Sequence, residues 1–492
     1  MRELEIRFHV PPDSLESLRQ ELNRHGARST RMTAHYFDTP GDTLGSQQMS
    51  LRLRKEGRRW FQTVKAQRSS SADRLEHNVA LRVPSGTMPV LDIARHDGTE
   101  AGARLRQVLR GAASEALGER YTTEVTRLAC QLSMSSSTVE AAFDSGILRS
   151  GERQVPICEL ELEYRSGDIA SLFALAQLWR RHGGLWLDSR SKAMRGATLA
   201  NGFAHGTPVK ARAPALDRDM DASRLLRTVM LSTLEQVLGN ASELAAGSSD
   251  EEHVHQLRVG LRRLRTVLRE LAPLSEGFES GWKPALSDAF AQLGAIRDDL
   301  AVAAAVRPLL ERAGAPKLAW RSVNTEDDPG AIVRADSFQD TLLDLLRWAL
   351  SEPSSAAPKH LPHEARRCLV ERLSRLHRQV TRGGDTFEQL PEAQQHQVRK
   401  RLKRLRYLAE LVGAMWAHKA TLRYLRRLSL AQDALGHHHD VSVAAAKFLA
   451  DAQQDPLSLF AAGYLKAHKA VTARQAHAAL AQVTRTRCFW KD

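Results

Sequence analysis

The chain of 492 residues carries a formal net charge of +14, with 42% hydrophobic, 26% charged and only 5% aromatic residues. This length predicts two or three domains, each able to bury its own core. The positive balance calls for an anionic partner (nucleic acid, membrane or polyphosphate), and the scarcity of aromatic stacking platforms weighs against single-stranded nucleic acid. No apolar run approaches the roughly 20 residues of a membrane span, and the sequence opens on a strand pattern instead of a leader, so a cytoplasmic protein without a membrane partner is expected. Cys130, Cys158, Cys368 and Cys488 lie too far apart for a metal motif and read as reduced thiols.

In the first eight residues Leu4, Ile6 and Phe8 alternate with Glu3, Glu5 and Arg7, which places two carboxylates and a guanidinium on one face of a strand. Two readings stand: a solvated sheet face, or a site joining a divalent cation to a phosphate, because hard cations take oxygen ligands and guanidinium forks match phosphate. Leu15, Leu18 and Leu22 predict a short amphipathic helix between Pro11 and Gly26. Strands resume at 35–40, 50–54 (Arg52 and Arg54 on one side, Leu51 and Leu53 on the other), 60–65 with Lys65, 74–81 with Arg74 and Glu76, and 122–132 with Arg127. Two more follow at 139–144 with Asp144, and at 156–164 with Glu159, Glu161 and Glu163 on one face. Eight such strands predict an antiparallel sheet or closed barrel with flanking helices, the first half of an α+β protein. The charges are segregated by strand. A sheet closed with that face inward would have a cationic wall for phosphates and an acidic wall for metal.

The motifs Glu3-x-Glu5-x-Arg7, Tyr36-Phe37-Asp38-Thr39-Pro40, Leu51-Arg52-Leu53-Arg54, Lys65, Arg74-x-Glu76, the run 157–163 and Ser191-Lys192-Ala193-x-Arg195-Gly196 together resemble the CYTH domain of the triphosphate tunnel metalloenzymes, over roughly residues 1–200. The resemblance implies an eight-stranded tunnel, a Mg²⁺ or Mn²⁺ cofactor and hydrolysis of a triphosphate substrate such as inorganic triphosphate. On it, Glu3, Glu5, Asp144, Glu161 and Glu163 are expected to hold metal, and Arg52, Arg54, Lys65, Arg74, Arg127 and Lys192 to bind substrate phosphates. Arg7, Lys65, Glu159 and Glu163 are the catalytic candidates, with Glu159 or Glu163 steering the attacking water. The family's opening motif ends in Lys where this chain has Arg7, whose planar fork keeps its proton. Alternatives are a tunnel acting on thiamine triphosphate or cyclising ATP, and a non-catalytic polyphosphate-binding scaffold.

Residues 172–181 read as a helix and 191–199 as a closing segment; 201–220, with Gly, Pro and mixed charge, read as a linker. From 221 to 492 helical periods dominate, predicting an all-α bundle. His255, Arg258, Arg262, Arg265 and Arg269 fall at steps of three and four, within about 80° of arc. His396, Arg399, Lys403 and Arg406 repeat those steps, and Leu293-Gly294 with Asp298 returns as Leu435-Gly436 with Asp440, so two repeated halves at about 221–350 and 363–492 are expected. Five arginines face one acid from His253 to Glu270, and six Lys or Arg face one acid from His396 to Glu410, so neutralisation by Asp298, Asp440 and Glu410 is incomplete.

These rows resemble the CHAD domain over about 221–492, which implies a basic helical surface for inorganic polyphosphate. The expected contacts are His255, Arg258, Arg262, Arg263, Arg265 and Arg269 in the first half and His396, Arg399, Lys400, Lys403, Arg404 and Arg406 in the second. The two histidines read equally as phosphate donors or as polar groups at helix starts. The run His437-His438-His439-Asp440 reads as structural, because consecutive helix residues diverge. The expected partners are inorganic triphosphate and polyphosphate, with polyphosphate granules as an associated location. No base-reading motif calls for specific nucleic acid. Residues 485–492 read as a loosely ordered tail.

Overall fold

The structure, a computed structural model, describes residues 4–67, 74–84, 86–110, 116–134, 136–274, 278, 281–316, 318, 320, 328–351 and 362–491. The N-terminal part forms one antiparallel sheet from β1 (Glu5–His9), β2 (Arg28–Asp38), β3 (Met49–Glu56), β4 (Arg59–Gln67), β5 (Arg74–Leu81), β6 (Gly118–Met134), β7 (Ser137–Ser150), β8 (Arg153–Ser166) and β9 (Trp186–Leu187). The strand order is β5-β4-β3-β2-β6-β7-β8-β1-β9. The expected count of eight is corrected to nine: the extra strand pairs Trp186 and Leu187 with His9 and Phe8, and two residues are too few to alternate. Among the described residues β5 and β9 are the sheet's two edges.

Apolar residues on the outer face draw helices onto it. α1 (Leu15–Arg24) buries Leu18 and Leu22. Leu44 of α2 (Thr43–Ser46) and Ala101 and Leu105 of α3 (Glu100–Arg110) pack on Met49, Leu51, Val64 and Ala66. The Tyr36–Pro40 motif starts α2: the Asp38 carboxylate accepts the backbone N–H groups of Thr39 at 2.7 Å and of Leu44 and Gly45 at 2.8 Å, which satisfies donors that a helix start leaves unpaired.

The inner face is not charged throughout. Beyond α4 (Ile169–Gly183), the helix α5 (Lys192–Ala200) lies on it, with Leu199 against Met32, Val125, Leu148 and Ile157, and with Ala193 and Ala197 against Ala34, Tyr36 and Tyr121. Gly196 permits that approach, since a Cβ there would stand 2.1 Å from the Tyr121 ring. One end of the face is therefore apolar and covered, and charge occupies the remainder.

The rest of the chain is helical: α6 (Ala222–Ala245), α7 (Glu251–Glu270), α8 (Trp282–Arg312), α9 (Pro329–Arg334), α10 (Asp336–Leu350), α11 (Pro362–Asp385), α12 (Glu392–Val412), α13 (His418–Asp451) and α14 (Ser458–Arg485). Among the described residues no helix is long and apolar enough to cross a membrane. The chain packs as two compact units, 1–210 with 234–256 and 333–351, and 211–233 with 257–332 and 352–492. In the first, fully buried Arg180 of α4 donates to Asp336 and Asp340 of α10 at 2.7 and 2.9 Å, partners that a buried guanidinium requires. In the second, Val302 and Val306 of α8 join Val441, Phe448 and Leu465 in one core. The tail expected to be loose is instead anchored: Phe489 and Trp490 are buried, and the Trp490 indole donates to Ser374 at 2.9 Å.

Candidate active site

Alternation puts Glu5 and Arg7, Arg52 and Arg54, Lys65, Arg127, Asp144, and Glu159, Glu161 and Glu163 on one side of the sheet. Register then brings them level, with Arg7 opposite Glu161, Glu5 opposite Glu163, Asp144 opposite Glu159 and Arg127 opposite Asp144. Oxygens of Asp144, Glu159 and Glu161 lie within 4.8 Å of one another. From α5 the Lys192 ammonium reaches all three, at 2.7 Å from Asp144 and 2.9 Å from Glu161, with a hydrogen bond to Glu159. Arg127 forks onto Asp144 through two bonds of 2.7 Å and also donates to Glu161. Arg7 donates to Glu5, and its Nε stands 3.5 Å from Glu161 and 3.8 Å from Glu159.

Burial sets the electrostatics. It pushes the Glu159 carboxyl up, and Lys192 opposes that. At Glu161 burial acts in the same sense, but Lys192, Arg127 and Arg7 outweigh it and hold the carboxyl well below its usual range. For Lys192, Glu159, Glu161 and Asp144 overcome burial and keep the ammonium protonated. Three convergent carboxylates are the hard-oxygen donor set a divalent ion of the Mg²⁺ or Mn²⁺ type takes, so the residues fit such an ion; in this structure the Lys192 ammonium reaches all three, and Arg7 and Arg127 flank them.

On β3 and β4 the balance reverses. Arg52 donates to the Tyr36 hydroxyl at 3.1 Å, Arg54 pairs with Glu56 at 2.6 Å and Lys65 with Glu76 at 2.7 Å. The Nε atoms of Arg52 and Arg54 are buried with no hydrogen-bond partner. Burial, then the Arg52 charge, push the Arg54 guanidinium down to about 10. Buried donors that lack an acceptor fit an anionic oxygen.

Of the other sequence-expected residues, Glu163 lies one step along β8, 2.5 Å from Arg165, which also donates to Glu140 at 2.8 Å. Glu3 and the side chain of Arg74 fall outside the described residues. Two participants were not anticipated. Arg195 stands 3.1 Å from Glu159, and its i,i+3 spacing from Lys192 was the available signal. Tyr121 stacks on Tyr36 at 4.6 Å and donates to the Ala193 carbonyl at 3.0 Å, which ties α5 to the cationic side.

On α7 the guanidinium carbons of Arg258, Arg262 and Arg265 lie 5.1, 5.0 and 5.2 Å from the centroid of the Phe290 ring, a cation–π cluster that no helical period announced. Arg265 and Arg269 are exposed, and His255 is half-buried. Arg258 and Arg263 are corrections to the expected basic surface: both are buried, and Arg263 donates to the Arg212 carbonyl at 3.0 Å, off the exposed row. On α12 Lys400 is exposed, while His396, Arg399, Lys403, Arg404 and Arg406 are half-buried. Arg406 pairs with Glu410 at 2.7 Å, and the His396 ring lies 5.1 Å from that of His439. Within the histidine run His438 is a core residue, bonded to Thr472 at 2.8 Å and Gln395 at 2.9 Å.

Comparison with known proteins gives two family matches: a model described as CYTH domain covers residues 1–197, and one described as CHAD domain covers 228–449. An inorganic triphosphatase of Haemophilus influenzae is 27% identical over 207 residues, which is 41% of this chain and 56% of that protein, so this chain spans little more than half of that relative's length. Among solved structures, the CHAD domain of Ricinus communis is 25% identical with a TM-score of 0.45, covering 56% of this chain and 96% of that one. A Hippeastrum protein described as having a dominant triphosphatase activity is 14% identical with a TM-score of 0.28, over 41% of this chain and 96% of that one.

Proposed function

The chain carries a CYTH domain at residues 1–197 followed by a CHAD domain at 228–449, and on that premise we propose that it is a metal-dependent triphosphatase whose helical part binds polyphosphate. The observation that carries this reading is the pairing, on one sheet face, of a three-carboxylate cluster with buried arginine donors that lack acceptors. Arg52, Arg54 and Lys65, with Arg74 on the same strand set, neutralise and align the phosphate chain. Lys192 and Arg127 extend that alignment to the carboxylate end. A Mg²⁺ or Mn²⁺ ion held by Asp144, Glu159 and Glu161, with Glu5 beside them, would supply charge neutralisation at the transferred phosphoryl oxygens. Arg7, bonded to Glu5 and facing Glu159 and Glu161, fixes the spacing of these carboxylates. Glu163, oriented by Arg165, accepts the proton of the attacking water. Phosphoryl transfer asks mainly for positioning and electrostatic stabilisation, which these groups provide.

The helical rows support the binding half of the reading. Arg258, Arg262 and Arg265 are gathered on Phe290 in spite of their mutual repulsion, which favours an anionic chain laid along Arg262 and Arg265, with Arg258 buried behind them. One observation favours a second reading, a non-catalytic polyphosphate-binding protein: the Lys192 ammonium is bonded to all three carboxylates that would hold metal. Phosphate release from tripolyphosphate, ATP, thiamine triphosphate and long polyphosphate, each with Mg²⁺ or Mn²⁺, separates the two. Release from tripolyphosphate that Lys65→Ala abolishes supports the enzyme; no release from any substrate leaves only the binding protein.

A further inference from the structure

Glu270, at the C-terminal end of α7, has a fully buried side chain, yet three arginines from three helices surround it. Arg375 of α11 donates to its Oε2 at 2.8 Å, Arg404 of α12 lies 3.4 Å from its Oε1, and the Arg269 Nε lies 3.7 Å from the same oxygen. The acid points inward and two of the bases outward: the side chains of Arg269 and Arg375 are 68% and 45% exposed, while Arg404 is half-buried. A guanidinium has five N–H donors and a carboxylate about four acceptor sites, so one glutamate saturates only a minority of the donors gathered here. Burial, then the charges of Arg269, Arg401 and Arg375, pull the Arg404 guanidinium below its usual range. A cluster with three cations and one anion, held from the inside, is stabilised by a second anion on the outside.

We propose that Glu270 positions Arg269, Arg375 and Arg404 as a phosphate clamp that grips one phosphoryl group of an inorganic polyphosphate chain and extends the basic surface onto α11. The clamp rests on the polyphosphate-binding reading above and adds to it Arg375, a residue outside both histidine-led rows, and Glu270, an acid inside a site for anions. Planar guanidinium forks match the bidentate geometry of phosphoryl oxygens. Among the described residues no aromatic ring is stacked on these three arginines, so a single-stranded nucleic acid finds no base platform there.

The test uses the full chain, a long-chain inorganic polyphosphate and duplex DNA, with affinity measured across a salt series. Arg375→Ala is expected to weaken polyphosphate binding by about three- to tenfold and to lower the slope of log affinity against log salt by about one. Arg375→Lys should keep the slope and lose part of the affinity, and Arg367→Ala, an exposed arginine of the same helix, should change affinity less than Arg375→Ala. The discriminating variant is Glu270→Gln. It adds net positive charge, so a purely electrostatic surface would bind tighter, whereas loss of positioning makes binding weaker. Tighter binding by Glu270→Gln, or equal losses from Arg367→Ala and Arg375→Ala, overturns the clamp. If Glu270→Gln does not fold, the Arg375 and Arg367 variants carry the test. A wild-type chain that fails to bind polyphosphate at all removes the underlying reading together with the clamp. Duplex DNA binding that depends on Arg375 as strongly as polyphosphate binding does overturns the choice of ligand.

Discussion

The sheet face and the α7 and α12 helices both concentrate basic residues, but they handle the repulsion differently. On the sheet face, the four cations Arg7, Arg127, Lys192 and Arg195 are answered by four carboxylates, Glu5, Asp144, Glu159 and Glu161, in a mostly buried array. On α7, Arg258, Arg262 and Arg265 share an aromatic ring, and within the basic rows the acids are few, Glu270 on α7 and Glu410 on α12. A balanced buried array is costly to disturb, because a lost partner strands a charge. An unbalanced row of cations, part of it exposed, suits a polyanion, and any binding it gives is sensitive to salt.

The comparison breaks most readily at Asp144. Asp144→Ala leaves Arg127 and Lys192 each short of a buried carboxylate, so a loss of about 3–5 kcal/mol in stability is expected by denaturant titration, together with at least about a hundredfold drop in phosphate release. A variant as stable as the wild type would mean that the array is not balanced as described. Arg54→Ala removes the guanidinium that pairs with Glu56 and whose buried Nε is proposed to meet a substrate phosphate. It should lower kcat/KM by about ten- to a hundredfold, costing about 1.4–2.8 kcal/mol of transition-state binding, while melting like the wild type; a large stability loss instead would make Arg54 a structural group.

Salt sharpens the contrast. Polyphosphate affinity should fall about tenfold or more between 50 and 200 mM salt, and KM for tripolyphosphate should change several times less; parallel slopes would erase the distinction between the two regions. The smallest effect is a titration away from both. His96 is buried, its ring 2.9 Å from His77 and 3.0 Å from Gln62, and burial, then His77 and Arg95, push its pKa from 6.5 down to about 4. The unfolded chain therefore binds the extra proton between those values. Stability should be level with respect to this group above pH 6.5 and should fall by roughly 1–3 kcal/mol as pH drops through the window. His96→Gln should flatten that part of the profile, and an unchanged profile would place the proton elsewhere.

Much of this was legible because strands and helices write their faces with fixed periods. Period two assigned Glu5, Arg7, Arg52, Arg54, Arg127, Asp144, Glu159 and Glu161 to one side without any tertiary knowledge. The steps of three and four gathered Arg258, Arg262 and Arg265. What period cannot carry is distance across the chain. Nothing near Arg258 marks Phe290 as its neighbour, and nothing near Glu270 marks Arg375. Period also cannot say where a charged face stops. Met32, Val125 and Leu148 share the inner side with the charged residues, and α5 covers them. β9 was hidden for a simpler reason, having two residues and no alternation. Arg263 was misread because a basic residue beside a basic row looks like part of it, although its position on the helix turns it into the core.

The most direct measurement follows tripolyphosphate by ³¹P nuclear magnetic resonance in the presence of Mg²⁺, with the wild-type chain and with Asp144→Asn, which keeps the side-chain shape and removes the charge. The account predicts that the wild type converts tripolyphosphate into equal amounts of pyrophosphate and phosphate, and that Asp144→Asn leaves it intact. Conversion at the same rate by both proteins would contradict it, because the carboxylate cluster would then have no part in the reaction.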